Sequence, residues 1–144
     1  MTNVVHRRYV SQADAHYGGG LVDGAYVLRM FGEVATELSI ATEGDEGLLA
    51  GYEAVDFLAP VRSGDILEAS GRIVSAGRRS RRLELTAHVC ARSAPAHRDS
   101  GAEVLADKLL VATAIAILVV PDTGRGNRAR ETGFGGPVGP EAAL

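Results

Sequence analysis

Leu21-Val-Asp-Gly-Ala-Tyr-Val-Leu-Arg-Met-Phe-Gly-Glu-Val-Ala-Thr-Glu-Leu-Ser-Ile40 decides the fold, because it is the only long stretch of the chain with helical periodicity. Val27, Phe31, Val34 and Leu38 recur at steps of four, three and four, with Met30 and Ala35 beside them, and form one apolar stripe. Arg29, Glu33, Thr36 and Glu37 take the opposite side, and Asp23 in the first turn suits the positive end of the helix dipole. Upstream, Val4 to Val10 reads as a short strand, followed by a loop from Ser11 that ends in three consecutive glycines, Gly18 to Gly20. Downstream the period changes to that of strands: Leu48 to Val61, Ile66 to Val74 after a Gly64-Asp65 turn, Arg82 to Cys90, and the nearly unbroken apolar run Leu109 to Val120. Leu83, Leu85, Ala87 and Val89 alternate with Arg82, Glu84, Thr86 and His88, which predicts one wet face. The Leu109 run reads as a strand buried on both faces, and residues 91–107 as a long hairpin connection.

Strand, long helix, then four strands is an α+β plan, with a single helix packed on an antiparallel sheet of about five strands. One helix covers only part of such a sheet and an edge strand is left over. A homodimer joined edge to edge, with a higher oligomer of dimers also open, meets both needs. The 144 residues allow one domain, expected over residues 1–121. The Gly- and Pro-rich residues 122–144 read as a tail, either disordered or laid over a neighbouring subunit. A net charge of −3 supplies no basic field for nucleic acid or a membrane surface. No apolar run is long enough to span a bilayer, the start lacks a signal-peptide pattern, and the lone Cys90 reads as a buried, inert thiol. These features together give a cytoplasmic expectation.

Phe57-Leu-Ala-Pro-Val-Arg-Ser-Gly-Asp65 resembles the second-strand signature of hot-dog acyl-CoA thioesterases and dehydratases. Asp14-Ala-His-Tyr-Gly-Gly-Gly-Leu-Val-Asp-Gly-Ala25, with Gly32-Glu-Val-Ala-Thr-Glu-Leu38, Gly44-Asp45 and Gly51-Tyr52, is similar to the coenzyme A-dependent ammonia lyases acting on β-alanyl-CoA and 3-aminobutyryl-CoA. The resemblance runs from about Arg7 to Pro121, with one departure: those enzymes carry asparagine at the position of Gly20. It implies a hot-dog fold and reversible loss of ammonia from a 3-aminoacyl-CoA to give the 2-enoyl-CoA. It also implies coenzyme A as part of the substrate, with no permanently bound cofactor and no metal. The chain has no Cys pair, no phosphate-cradling Gly-x-x-x-x-Gly-Lys and no His-x-x-x-His spacing.

On that reading, a base must take the thioester's α-hydrogen while backbone N–H groups at a helix N-terminus hold the charge that develops on the thioester oxygen. Gly19, Gly20 and Gly24 are the candidates for that hole, Gly24 by letting the thioester approach closely; the alternative is that the glycines only turn the chain. Glu33 is a further candidate for substrate binding, or pairs with Arg29 at helical spacing. Candidate acid–base groups are Asp14 (or a loop cap), His16, an imidazole in the glycine loop rather than on an apolar face, Tyr17 (or packing), and Glu37 (or a salt bridge with a partner-subunit arginine). His6, His88 and His97 read as structural or solvated. Arg78, Arg79 and Arg81 form either a solvated turn or a cradle for the phosphates of coenzyme A. Two other functions stay open at this point: a thioesterase, and a non-catalytic acyl-CoA-binding module.

Overall fold

The computed structural model describes residues 2–122, so all but the first residue of the expected tail lies outside the described residues. The chain runs β1 (Asn3–Tyr9), two single-turn 3-10 segments (Gln12–Asp14 and Gly18–Gly20), α1 (Gly24–Glu43), β2 (Leu48–Phe57), β3 (Ile66–Ala76), β4 (Ser80–Ser93) and β5 (Ala102–Val119). The strands form one antiparallel sheet in the order β1-β3-β4-β5-β2, which leaves β1 and β2 as open edges. This is the expected hot-dog plan of a single long helix against a five-stranded sheet.

The helix starts at Gly24, three residues later than the apolar pattern predicts. Leu21 is held extended by bridges to Tyr17 and Arg62, so Asp23 becomes the N-cap, its Oδ1 accepting the Tyr26 N–H at 3.1 Å. Gly44, in the left-handed region at φ 70°, ends the helix and returns its N–H to the Ile40 carbonyl at 3.0 Å. Val27, Met30, Phe31, Val34, Ala35 and Leu38 are buried against the sheet. Phe31, Met30 and Leu38 are fully buried, which stabilises by about 1.5–3 kcal/mol each. The facing sheet is lined by small groups: Ala69 on β3, Ala87 on β4, and Ala112, Ala114 and Ala116 on β5. Gly71 on β3 lies directly under the helix, where an added Cβ would come within 3.0 Å of Val34 Cγ1 and 2.5 Å of Leu85 Cδ2.

Four sequence expectations are corrected. Residues 91–107 are not a long connection: Ala91, Arg92 and Ser93 pair with Val104, Glu103 and Ala102, so both strands extend and only residues 94–101 turn. Backbone pairing continues there despite the polar composition because the ladder satisfies the main chain whatever the side chains are. β5 is not buried on both faces, since Ala112, Ala114, Ala116 and Leu118 face the helix while Thr113, Ile115, Ile117 and Val119 are half-exposed on the outer face. β2 ends at Phe57 rather than Val61, before Pro60, which has no N–H to give a ladder. Cys90 is half-buried rather than buried; partial burial, followed by the nearby Glu68 carboxylate, pushes its thiol pKa up.

The loop from Leu58 to Asp65 is held by one buried carboxylate. Asp65, 1% exposed, accepts from Arg92 Nε and a terminal Arg92 N–H at 2.9 Å each, and from the Arg62 N–H at 2.8 Å. Its backbone carbonyl takes the Val10 N–H at 2.9 Å, and Gly64, at φ 88°, gives its own N–H to the Val10 carbonyl at 2.7 Å. The same guanidinium reaches the Pro60 carbonyl at 3.1 Å. Replacing Arg92 by methionine leaves Asp65 buried without its cation, and we expect a loss of about 3 kcal/mol in denaturant unfolding.

Across the outer face, Glu68 on β3 bridges Lys108 on β5 at 2.9 Å and Arg7 on β1 at 2.8 Å. The Lys108 hydrogen bond, and then that of Arg7, hold its carboxyl below the ordinary 4.5 in spite of burial. The folded chain thus releases this proton more readily than the unfolded one. The contribution to stability is present above pH 4.5 and is lost as pH falls through the lowered folded value. Glu68→Gln is expected to flatten the fall in melting temperature between neutral pH and the acid side of that range, read by thermal scans across pH.

Candidate active site

The Leu58–Asp65 loop and the glycine loop are tied to each other. Ser63 N–H donates to the Gly20 carbonyl at 2.8 Å and Val22 N–H to the Val61 carbonyl at 3.0 Å. Gly19 and Gly20 have φ of 76° and 75°, so the turn itself requires them. Asparagine also visits this region, but a Cβ at Gly20 would stand 3.2 Å from Ser63 Oγ, which would have to give way. Together the two loops open a cleft of about 420 Å³ at the N-terminus of α1, lined by Val22, Asp23, Gly24, Phe57, Pro60 and Val111 among others.

Helix geometry leaves the first N–H groups without intrahelical partners. The Asp23 carboxylate takes that of Tyr26, which leaves those of Gly24 and Ala25 for an oxyanion. The space beside Gly24 is not empty, however: a Cβ there would meet the Phe57 ring at 2.6 Å. In this chain the missing side chain of Gly24 accommodates Phe57. That ring is 54% exposed.

His16 also lies at this end. Its Nε2 is 2.7 Å from Asp23 Oδ2, and its ring tilts against Tyr17 with centroids 4.6 Å apart. The His16 hydrogen bond, and then the Tyr26 N–H, hold the Asp23 carboxyl below the usual range. Asp14 sits exposed in the first 3-10 segment. In the sequence Asp23 reads only as a charge suited to the dipole; its contact with His16, seven residues away, is closed by the glycine turn.

Glu37 is elsewhere. Thirteen residues beyond Gly24 at 1.5 Å each put it roughly 20 Å along the helix. There it is bonded at 2.6 Å to Nε2 of His6, a histidine of β1 in the same chain. Glu33 pairs with Arg8 of β1, not with Arg29, because the strand passes alongside the helix. Arg8 also stands 5.6 Å over the Tyr26 ring. Glu33, Thr36, Glu37 and Ile40 line a separate, open groove of about 570 Å³.

The arginine turn lies at the far end of α1. Arg81 is nearly buried, paired at 2.7 Å with Glu43, the last helical residue, and donates to the Gly77 and Ser80 carbonyls. Arg79 Nε donates to the Val120 carbonyl at 3.4 Å, and Arg78, 81% exposed, stands 4.0 Å from Asp122. One chain therefore brings together His16, Tyr17, Asp23, Gly24 and Phe57, but neither Glu37 nor the arginines join them. Among the described residues, no three His, Cys, Asp or Glu side chains are grouped so as to hold a metal ion. No helix among them is long and apolar enough to cross a membrane.

A model of the thioesterase superfamily matches residues 19–90. A 3-aminobutyryl-CoA ammonia lyase of Acetoanaerobium sticklandii is 46% identical over 112 residues, covering 78% of this chain and 89% of that protein. The structure of β-alanyl-CoA:ammonia lyase from Clostridium propionicum superimposes with a TM-score of 0.80 at 34% identity, covering 84% of this chain and 86% of that one. An acyl-CoA hydrolase of Staphylococcus aureus, at 20% identity and a TM-score of 0.66 over 84% of this chain and 64% of its own, shares the fold alone. The chain belongs to the hot-dog thioesterase superfamily, in the branch that holds the acyl-CoA ammonia lyases.

Proposed function

We propose that this chain is a carbon–nitrogen lyase that removes ammonia reversibly from 3-aminobutyryl-CoA or a similar 3-aminoacyl-CoA. The observation that carries the reading is its 46% identity to an enzyme of that name over most of both chains. The cleft at the start of α1 supports it: the Gly24 and Ala25 N–H groups suit a thioester oxygen, and of the acid–base candidates His16, Tyr17 and Asp14, His16 is bonded to Asp23 of the cleft wall. Coenzyme A enters as part of the substrate, and the chemistry needs no resident cofactor. We assign the protein to the cytoplasm, where a single unpaired cysteine stays reduced.

The working unit we infer is a homodimer. β2 is an edge strand carrying exposed Leu48 and Phe57, with exposed Leu58 next to it. Such an edge is satisfied by pairing with a second copy. Glu37 and the exposed Arg78, both remote from the cleft of their own chain, would then serve only a site shared between subunits.

Incubation with crotonyl-CoA and ammonium is expected to give a product heavier by one ammonia, without release of free thiol. Rapid thiol release with no adduct would assign the chain to thioester hydrolysis. Light scattering on the eluting protein is expected to give twice the 15.0 kDa chain mass or an even multiple of it; a monomer at micromolar concentration would overturn the shared site.

A further inference from the structure

Resting on the ammonia-lyase reading, we infer that His16 is the group that moves the proton and that Asp23 is its positioning residue. Four observations carry this. Asp23 uses both oxygens: Oδ1 takes the Tyr26 N–H at 3.1 Å and Oδ2 meets His16 Nε2 at 2.7 Å, so the carboxylate is locked to the first turn of α1 and locks the imidazole in turn. Asp23 and Gly24 are adjacent in the cleft wall, so the carboxylate that meets His16 belongs to the residue next to the N–H groups assigned to the thioester oxygen. The glycine loop acquires a purpose: Gly19 and Gly20 at positive φ, with the Tyr17–Leu21 bridge, fold His16 back onto the helix end. Glu37, roughly 20 Å along the helix, is bonded to His6 instead.

An anionic carboxylate only accepts, so the Nε2 facing it carries the hydrogen and the Nδ1 lone pair is left for the substrate. In the elimination, Nδ1 takes the proton from the α carbon, and the C–H electron pair becomes the second bond between the α and β carbons. The bond from the β carbon to nitrogen breaks, and its electron pair leaves with ammonia, released from the substrate's ammonium group. The imidazolium then gives its proton to that ammonia. The products are the 2-enoyl-CoA and ammonium, with His16 neutral again. Asp23 stabilises the imidazolium between the two transfers.

The test is Asp23→Asn in the full-length chain, because asparagine caps a helix as well as aspartate but is uncharged. For amination of crotonyl-CoA we expect kcat to fall about 10- to 100-fold, KM for crotonyl-CoA to stay within about twofold, and the melting temperature to hold. His16→Gln is expected to lose at least as much, and the double variant no more than His16→Gln alone, since the two residues act as one unit. An Asp23→Asn enzyme with wild-type kcat overturns the inference, as does a loss of kcat matched by a fall in melting temperature, or losses that multiply in the double variant. A wild-type chain that forms no adduct overturns the ammonia-lyase reading along with it. An active wild type with an unaffected variant overturns this inference alone.

Discussion

The geometry at the start of α1 depends on the buried pair between Asp65 and Arg92. The carboxylate is 1% exposed, and its two oxygens are satisfied by the guanidinium and by the Arg62 N–H. A buried charge of this kind is costly unless it is paired and hydrogen-bonded, so the loop has one arrangement that keeps it satisfied. That arrangement places Val61 and Ser63 where they bond Val22 and Gly20. Asp23 and Gly24 follow directly in the chain, so a contact on the far side of the loop sets where the helix begins.

The second constraint is how closely the helix can approach the sheet. Gly71 under Val34, and alanines rather than larger residues on the inner face of β5, let the α1 backbone come near. β2 then bends round with register shifts after Leu49 and Tyr52, and bulges of this kind increase the local curl of a strand. The curl brings Phe57, at the end of β2, over Gly24. Packing of small residues at mid-sheet and a ring over the cleft are thus consequences of one curvature.

A single helix also separates the functional groups by its own length. The glycine loop is at one end of α1 and Glu43 with Arg81 at the other. A coenzyme A thioester is long, but the bonds that change lie within a few ångströms of one another, so within one chain the groups at the two ends of the helix cannot both act on them. Thioester hydrolysis and ammonia elimination both put negative charge on the thioester oxygen. The two chemistries differ in whether the neighbouring group attends to a proton on the α carbon or to water at the carbonyl. At the start of α1 this chain holds the His16 imidazole against the Asp23 carboxylate.

Much of the fold was legible in the sequence, because the apolar stripe from Val27 to Leu38 and the alternation from Arg82 to Val89 are periodic signals that burial imposes directly. Element ends were less legible. Leu21 to Asp23 continue an apolar pattern yet are held extended by bonds to Arg62 and Val61, and Ala91 to Ser93 look like a loop yet stay in the ladder. Of the site, the sequence by itself determined the chemical inventory: the glycine loop, His16, the acidic face of the helix and the arginine run. Only the tertiary structure decided which of these meet. His16 with Asp23, His6 with Glu37 and Asp65 with Arg92 are pairs made by a turn or by distant strands, and periodicity carries no information about contacts closed through space.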